Sequence, residues 1–97
     1  MEKLTSSQIE SSLLTLDSWT VNNGELCNSY KLKSFMDVMS FANLVADKAE
    51  QIKHHPKILI DYSKIQFALV THDIGGLSNL DFNLAKFIHE TYNEIFV

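Results

Sequence analysis

The sequence predicts an α+β fold, a single four-stranded antiparallel sheet with three helices packed on one face, in the order α-β-β-α-β-β-α. Three observations predict it. Hydroxyl residues at three places each stand three positions before a side chain able to close a capping box, which marks three helix starts. An Asn-Gly dipeptide separates two strand-like stretches, and a second strand-like pair fills the interval before the last helix. Hairpins alternating with helices in this way imply a sheet whose one face carries the helices.

Thr5 with Gln8 opens the first helix, and Ile9, Leu13, Leu14 and Leu16 form an apolar stripe that ends near Asp17. Trp19 to Asn22 and Glu25 to Leu32 flank Asn23-Gly24, the pair that best tolerates the positive φ angles of a two-residue turn. Ser34 with Asp37 opens the second helix, which runs to about Gln51. Its apolar residues, among them Phe35, Met36, Val38, Met39, Phe41, Leu44 and Val45, cover far more than one face. A helix apolar around so much of its girth predicts burial by a second subunit. Ser78 with Asp81 opens the third helix, where Leu80, Leu84, Phe87, Ile88, Ile95 and Phe96 recur at helical spacing.

The second hairpin runs from Lys57 to Tyr62, turns at Ser63-Lys64 and returns from Ile65 to about Thr71. That turn sets Tyr62 opposite Ile65, Ile60 opposite Phe67 and Ile58 opposite Leu69, which gives one apolar face. Extending the ladder on the other face sets His55 opposite His72, and a different turn length would still leave His72 beside the His54-His55 end.

At 97 residues the chain is sized for a single domain spanning residues 1–97. Its 45% apolar and 21% charged residues are those of a soluble globular domain rather than a disordered one. The formal charge of −4 and the scattered lysines remove the electrostatic case for nucleic-acid binding. No run approaches the roughly 18 apolar residues of a membrane span, and Met1-Glu2-Lys3-Leu4 opens no long apolar segment, so the expectation is a cytoplasmic protein without membrane contact. Cys27 is the only cysteine, which excludes an intrachain disulfide, and it reads as a small strand residue.

Chemistry concentrates in the second half, where Glu50, His54-His55-Pro56, Tyr62, His72 and Asp81 follow one another. Imidazoles exchange protons near neutral pH, so histidines gathered beside carboxylates suggest proton transfer. Plainer roles exist for each residue. His54 and His55 suit a helix end and the start of a strand, Asp81 a capping box, Tyr62 a strand that packs its ring, and Pro56 the first position of a strand. His89 reads as solvated surface on the third helix. A metal site is disfavoured, because adjacent His54 and His55 on extended chain point to opposite faces and no HExxH or spaced cysteine pair is present.

The intervals between these residues, three, five, nine and eight positions in turn, resemble the signature of the pterin-4a-carbinolamine dehydratases. The likeness extends to Trp19 before the first hairpin, Phe35 at the second helix, Thr71-His72, Gly76-Leu77-Ser78 and Asn83-Leu84-Ala85. It implies an enzyme that removes water from 4a-hydroxytetrahydropterin to give quinonoid dihydropterin, in tetrahydrobiopterin recycling for aromatic amino-acid hydroxylases. That elimination requires a proton delivered to the departing hydroxyl and one removed from a ring nitrogen, with no cofactor, redox group or metal.

The resemblance assigns proton transfer to His54 and His72, with acid and base left open, and pterin orientation or binding to His55. Glu50, Pro56 and Asp81 support the site: Glu50 by bonding a histidine and favouring its charged form, Asp81 by orienting His72 or the substrate. The implied partners are a pterin substrate and further copies of the chain, as a dimer or as the tetramer usual in the family. The alternative is a pterin-binding or protein-interaction module acting as a dimerisation cofactor of a transcription factor, for which the apolar second helix would serve equally. Many relatives carry a large aromatic two residues after the proline. Here Ile58 takes that place, a departure from the family pattern that bears on the pocket wall and so on the pterin side chain preferred.

Overall fold

Each helix begins at the hydroxyl that the sequence marks for it. The computed structural model describes residues 1–97, with α1 (Ser6–Leu13), β1 (Thr20–Asn22), β2 (Glu25–Lys31), α2 (Phe35–Ile52), β3 (Lys57–Asp61), β4 (Lys64–Leu69) and α3 (Asn79–Thr91) in that order. Thr5 and Ser78 each close a full capping box, with Gln8 and Asp81 respectively, while Ser34 accepts the Asp37 amide. α1 is shorter than its apolar stripe suggests and breaks up after Leu13 into successive turns. No helix is long and apolar enough to cross a membrane.

The sheet is antiparallel with strand order β1-β2-β4-β3. Asn23 and Gly24 turn the first hairpin at φ 53° and 78°, the left-handed region that favours these two residues. The second hairpin departs from expectation. Its turn is Tyr62-Ser63, closed by Asp61 opposite Lys64, so Ile60 faces Ile65 and Ile58 faces Phe67. The register is therefore displaced by two residues from the one expected. A displacement of two preserves side-chain parity, and Ile58, Ile60, Ile65, Phe67 and Leu69 still share the inner face. The physical reason is Tyr62, which takes φ 52° and makes the turn without glycine or asparagine. Its ring is exposed instead of packed along a strand. The ladder ends at Lys57 and Ala68, so the pairing of His55 with His72 does not form.

All three helices lie on the inner face. Leu26 and Tyr30 from β2, Ile65, Phe67 and Leu69 from β4, Val38, Phe41 and Val45 from α2, and Leu84 and Ile88 from α3 form one cluster, against which Ile9 and Leu13 of α1 pack. Phe41 and Phe67 are fully buried, each burial contributing about 1.5–3 kcal/mol. Their rings meet edge to face with centroids 5.4 Å apart. After Thr91 the helix widens into a π-type turn, Tyr92–Phe96, which brings the Tyr92 and Phe96 rings to 5.9 and 5.2 Å from Phe41.

His89 is not the solvated residue that the sequence suggests. It is half-buried, and its Nδ1 lies 2.9 Å from the Tyr30 hydroxyl, which also accepts from Trp19 Nε1 at 3.0 Å. Its position on α3 faces β2, a tertiary relation that helical spacing alone does not reveal. Burial first of all pushes the Tyr30 phenol above its ordinary value, so it stays neutral beside the imidazole. Burial, followed by the nearby Glu25 charge, likewise raises the Cys27 thiol, in keeping with a small strand residue and not with a nucleophile.

Candidate active site

The site begins where α2 stops. Lys53 turns left-handed at φ 54°, and the amides of Lys53 and His54 return to the carbonyls of Glu50 and Ala49 at 3.3 and 3.0 Å. These are the two bonds of a Schellman ending, with lysine where glycine is usual. The reversal sends successive side chains of the extended segment to opposite sides. His54 packs inward and is buried, whereas the His55 side chain is 64% exposed. Pro56 then leads directly into β3 without an amide to satisfy.

His54 meets Asp81 in the interior, with Nε2 2.6 Å from Oδ1. Asp81 stands in the first turn of α3 and has no exposed surface, so its charge depends on local donors. The Ser78 amide donates to Oδ2 at 2.9 Å and the Thr71 hydroxyl to the same oxygen at 2.8 Å. The Thr71 and Ser78 hydroxyl oxygens lie 2.7 Å apart, and Ser78 Oγ accepts the Leu80 amide at 3.2 Å. No buried side-chain polar atom is left without a partner. Asp81 thus caps its helix and holds an imidazole with the same carboxylate. The histidine it holds is His54, and not the His72 named as one of its two expected partners.

The second imidazole–carboxylate pair is the sequence neighbour of the first. His55 Nε2 bonds Glu50 Oε2 across the end of α2, and the Glu50 side chain is 77% exposed. His72 opens a short 3₁₀ turn, His72–Ile74, in the loop between β4 and α3. The turn closes through an isolated bridge of Thr71 with Gly76 and through Gly75 at φ 63°. His72 is exposed there, beside the Thr71 that reaches Asp81. Three stretches of chain, the end of α2, the loop after β4 and the start of α3, are therefore joined by hydrogen bonds through Asp81. Tyr62 stands apart in the distal hairpin turn.

Thr71 and Ser78 are the polar members that sequence reasoning did not single out for the site. Ser78 reads only as a helix cap, and its proximity to Thr71 depends on the closed loop between them. No three His, Cys, Asp or Glu side chains converge as a metal-holding group. The arrangement offers one buried, carboxylate-held imidazole, one exposed carboxylate-paired imidazole and one exposed imidazole, a set able to accept and deliver protons.

Comparison with known proteins finds relatives over most of the chain. A family model described as pterin 4 alpha carbinolamine dehydratase matches residues 2–91. A relative from Acidobacterium capsulatum, provisionally named a pterin-4-alpha-carbinolamine dehydratase, is 43% identical over 88 residues, covering 91% of this chain and 96% of its own. A relative from Nostoc punctiforme with the same provisional name is 37% identical over 87 residues, covering 90% and 94%. The crystal structure of a transcriptional coactivator/pterin dehydratase from Brucella melitensis superposes with a TM-score of 0.89 at 28% identity, over 92% of this chain and 97% of that one.

Proposed function

Because the chain belongs to the pterin-4-alpha-carbinolamine dehydratase family, we propose that it removes water from 4a-hydroxytetrahydropterin by histidine acid–base catalysis, giving quinonoid dihydropterin for tetrahydrobiopterin recycling. The observation that carries the histidine mechanism is the buried His54–Asp81 pair, joined through Thr71 to the loop that bears His72. In the elimination, one imidazolium gives its proton to the 4a-hydroxyl as the C–O bond breaks, and one neutral imidazole takes a proton from the ring nitrogen. Water leaves and the new double bond takes up the released electron pair. His54 and His72 fill these two roles, His55 orients the pterin, and Glu50 and Pro56 set the position of His55. A cytoplasmic location belongs to the same reading.

The test is the rate of 4a-hydroxytetrahydropterin dehydration above its spontaneous background, for wild type beside His54→Ala and His72→Ala, with circular dichroism reporting the fold. Wild type accelerates the reaction, and each folded variant loses about a hundredfold or more, the usual range for an acid–base group. A folded wild type that binds pterin without accelerating dehydration would falsify the enzymatic reading.

A second reading rests on α2, where Phe35, Met36 and Leu44 are 45%, 68% and 36% exposed. Exposed apolar residues on more than one side of the helix suit self-association into a dimer or tetramer, or a protein partner of the kind implied by the coactivator name of the Brucella protein. Mass measurement of the pure chain separates these. A closed oligomer occupies the helix, and a monomer leaves it for a partner.

A further inference from the structure

Asp81 is buried with more hydrogen-bond donors around it than its helix cap requires, and the direction of those bonds is fixed. The Thr71 hydroxyl has one hydrogen and gives it to Asp81 Oδ2, so the Thr71–Ser78 bond uses the hydrogen of Ser78, whose oxygen accepts the Leu80 amide. The Ser78 amide, which can only donate, arrives at Asp81 Oδ2 as well. The chain of donors runs one way, Leu80 to Ser78 to Thr71 to Asp81, and ends on a carboxylate oxygen. Two donors converge on Oδ2, which leaves Oδ1 as the oxygen that faces His54. With Oδ1 as an acceptor 2.6 Å from His54 Nε2, the bond is met by the Nε2–H tautomer of the imidazole.

We propose that the Thr71 and Ser78 hydroxyls are positioning groups for the dehydration: by fixing Asp81 as an acceptor they hold the His54 ring with Nε2 engaged, leaving Nδ1 as the nitrogen that exchanges a proton with the substrate. This rests on the dehydratase reading above. Neither hydroxyl is on open surface: both lie in the interior, with Thr71 7% and Ser78 0% exposed. A hydroxyl serving only to cap a helix needs the Leu80 amide. The bonds from Ser78 to Thr71 and from Thr71 to Asp81 exceed that need, and they tie the cap to the imidazole.

The experiment compares Thr71→Val, which keeps the side-chain shape and removes the donor, with Thr71→Ser, which keeps the donor. Steady-state dehydration and long-range ¹H–¹⁵N correlation of the His54 ring are measured on each, with thermal unfolding to establish the fold. Thr71→Val lowers kcat about tenfold to a hundredfold, the scale expected when a catalytic group is misplaced, with KM held within about twofold. Its ring spectrum moves away from a single Nε2–H tautomer, and Thr71→Ser restores most of the rate and the wild-type spectrum. Should Thr71→Val not fold, Ser78→Ala removes the preceding donor and is read in the same way. A folded variant that keeps both the wild-type kcat and the wild-type ring spectrum overturns the proposal, and so does an equal loss in Thr71→Ser. Absence of acceleration in wild type is a different result: it sinks the dehydratase reading, while the ring spectra still decide whether the hydroxyls set the tautomer.

Discussion

His54 and His55 are adjacent in sequence and each bonds a carboxylate through Nε2, yet the two pairs inhabit different media. His54–Asp81 lies in the interior with the carboxylate fully covered, whereas His55–Glu50 stands on open surface. In water the second pair gains little, because solvent screens the charges and two mobile side chains must be held still. The first has lost its hydration and depends wholly on the donors of Thr71 and Ser78. The difference teaches that the chemistry of a histidine here is set by the side of the chain it leaves. Lys53 decides that side.

The largest way to break the contrast is Asp81→Ala. It strips the buried partner from His54 Nε2, from Thr71 and from the Ser78 amide, and removes half of a capping box. A loss of about 3 kcal/mol or more in stability is expected, measured by urea denaturation. A loss under about 1 kcal/mol would mean that the pocket relaxes and admits water. A smaller effect in the opposite direction comes from Lys53→Gly. Glycine takes the left-handed conformation without a Cβ penalty, so a gain of about 0.5 kcal/mol is expected in the same assay, with His54 still inside. Destabilisation there would show that the lysine side chain contributes contacts that outweigh its backbone. The smallest effect belongs to Glu50→Gln, which removes the charge of the exposed pair. Stability moves by less than about 0.5 kcal/mol and the remaining dependence on salt weakens. A change comparable to that of Asp81→Ala would erase the contrast between the two pairs.

Much of the scaffold could be read from local chemistry. The hydroxyls of Thr5, Ser34 and Ser78 and the Asn23-Gly24 turn act within a few residues, so their effects are visible in the sequence around them. The second turn is harder to read, because nothing in Tyr62-Ser63 advertises a left-handed tyrosine. A turn set one residue later moves the register by two while sparing the faces. The partnership of His54 with Asp81 is less legible still. It combines a left-handed Lys53, which no composition rule marks, with the docking of α3 across the end of α2. His89 repeats the lesson, since helical spacing gives its angle around α3 but not the Tyr30 hydroxyl waiting on β2.

That last contact has an optical consequence. Trp19 is the chain's only tryptophan, is 4% exposed, and donates its indole N–H to the same Tyr30 oxygen that bonds His89. Its emission therefore comes from one place, the junction of β2 with the far end of α3, and is silent about the His54 corner at the other end of that helix. Fluorescence and a histidine-specific signal recorded during one melt would time the two ends of α3 independently, and their coincidence or separation would tell whether this small fold comes apart as one body.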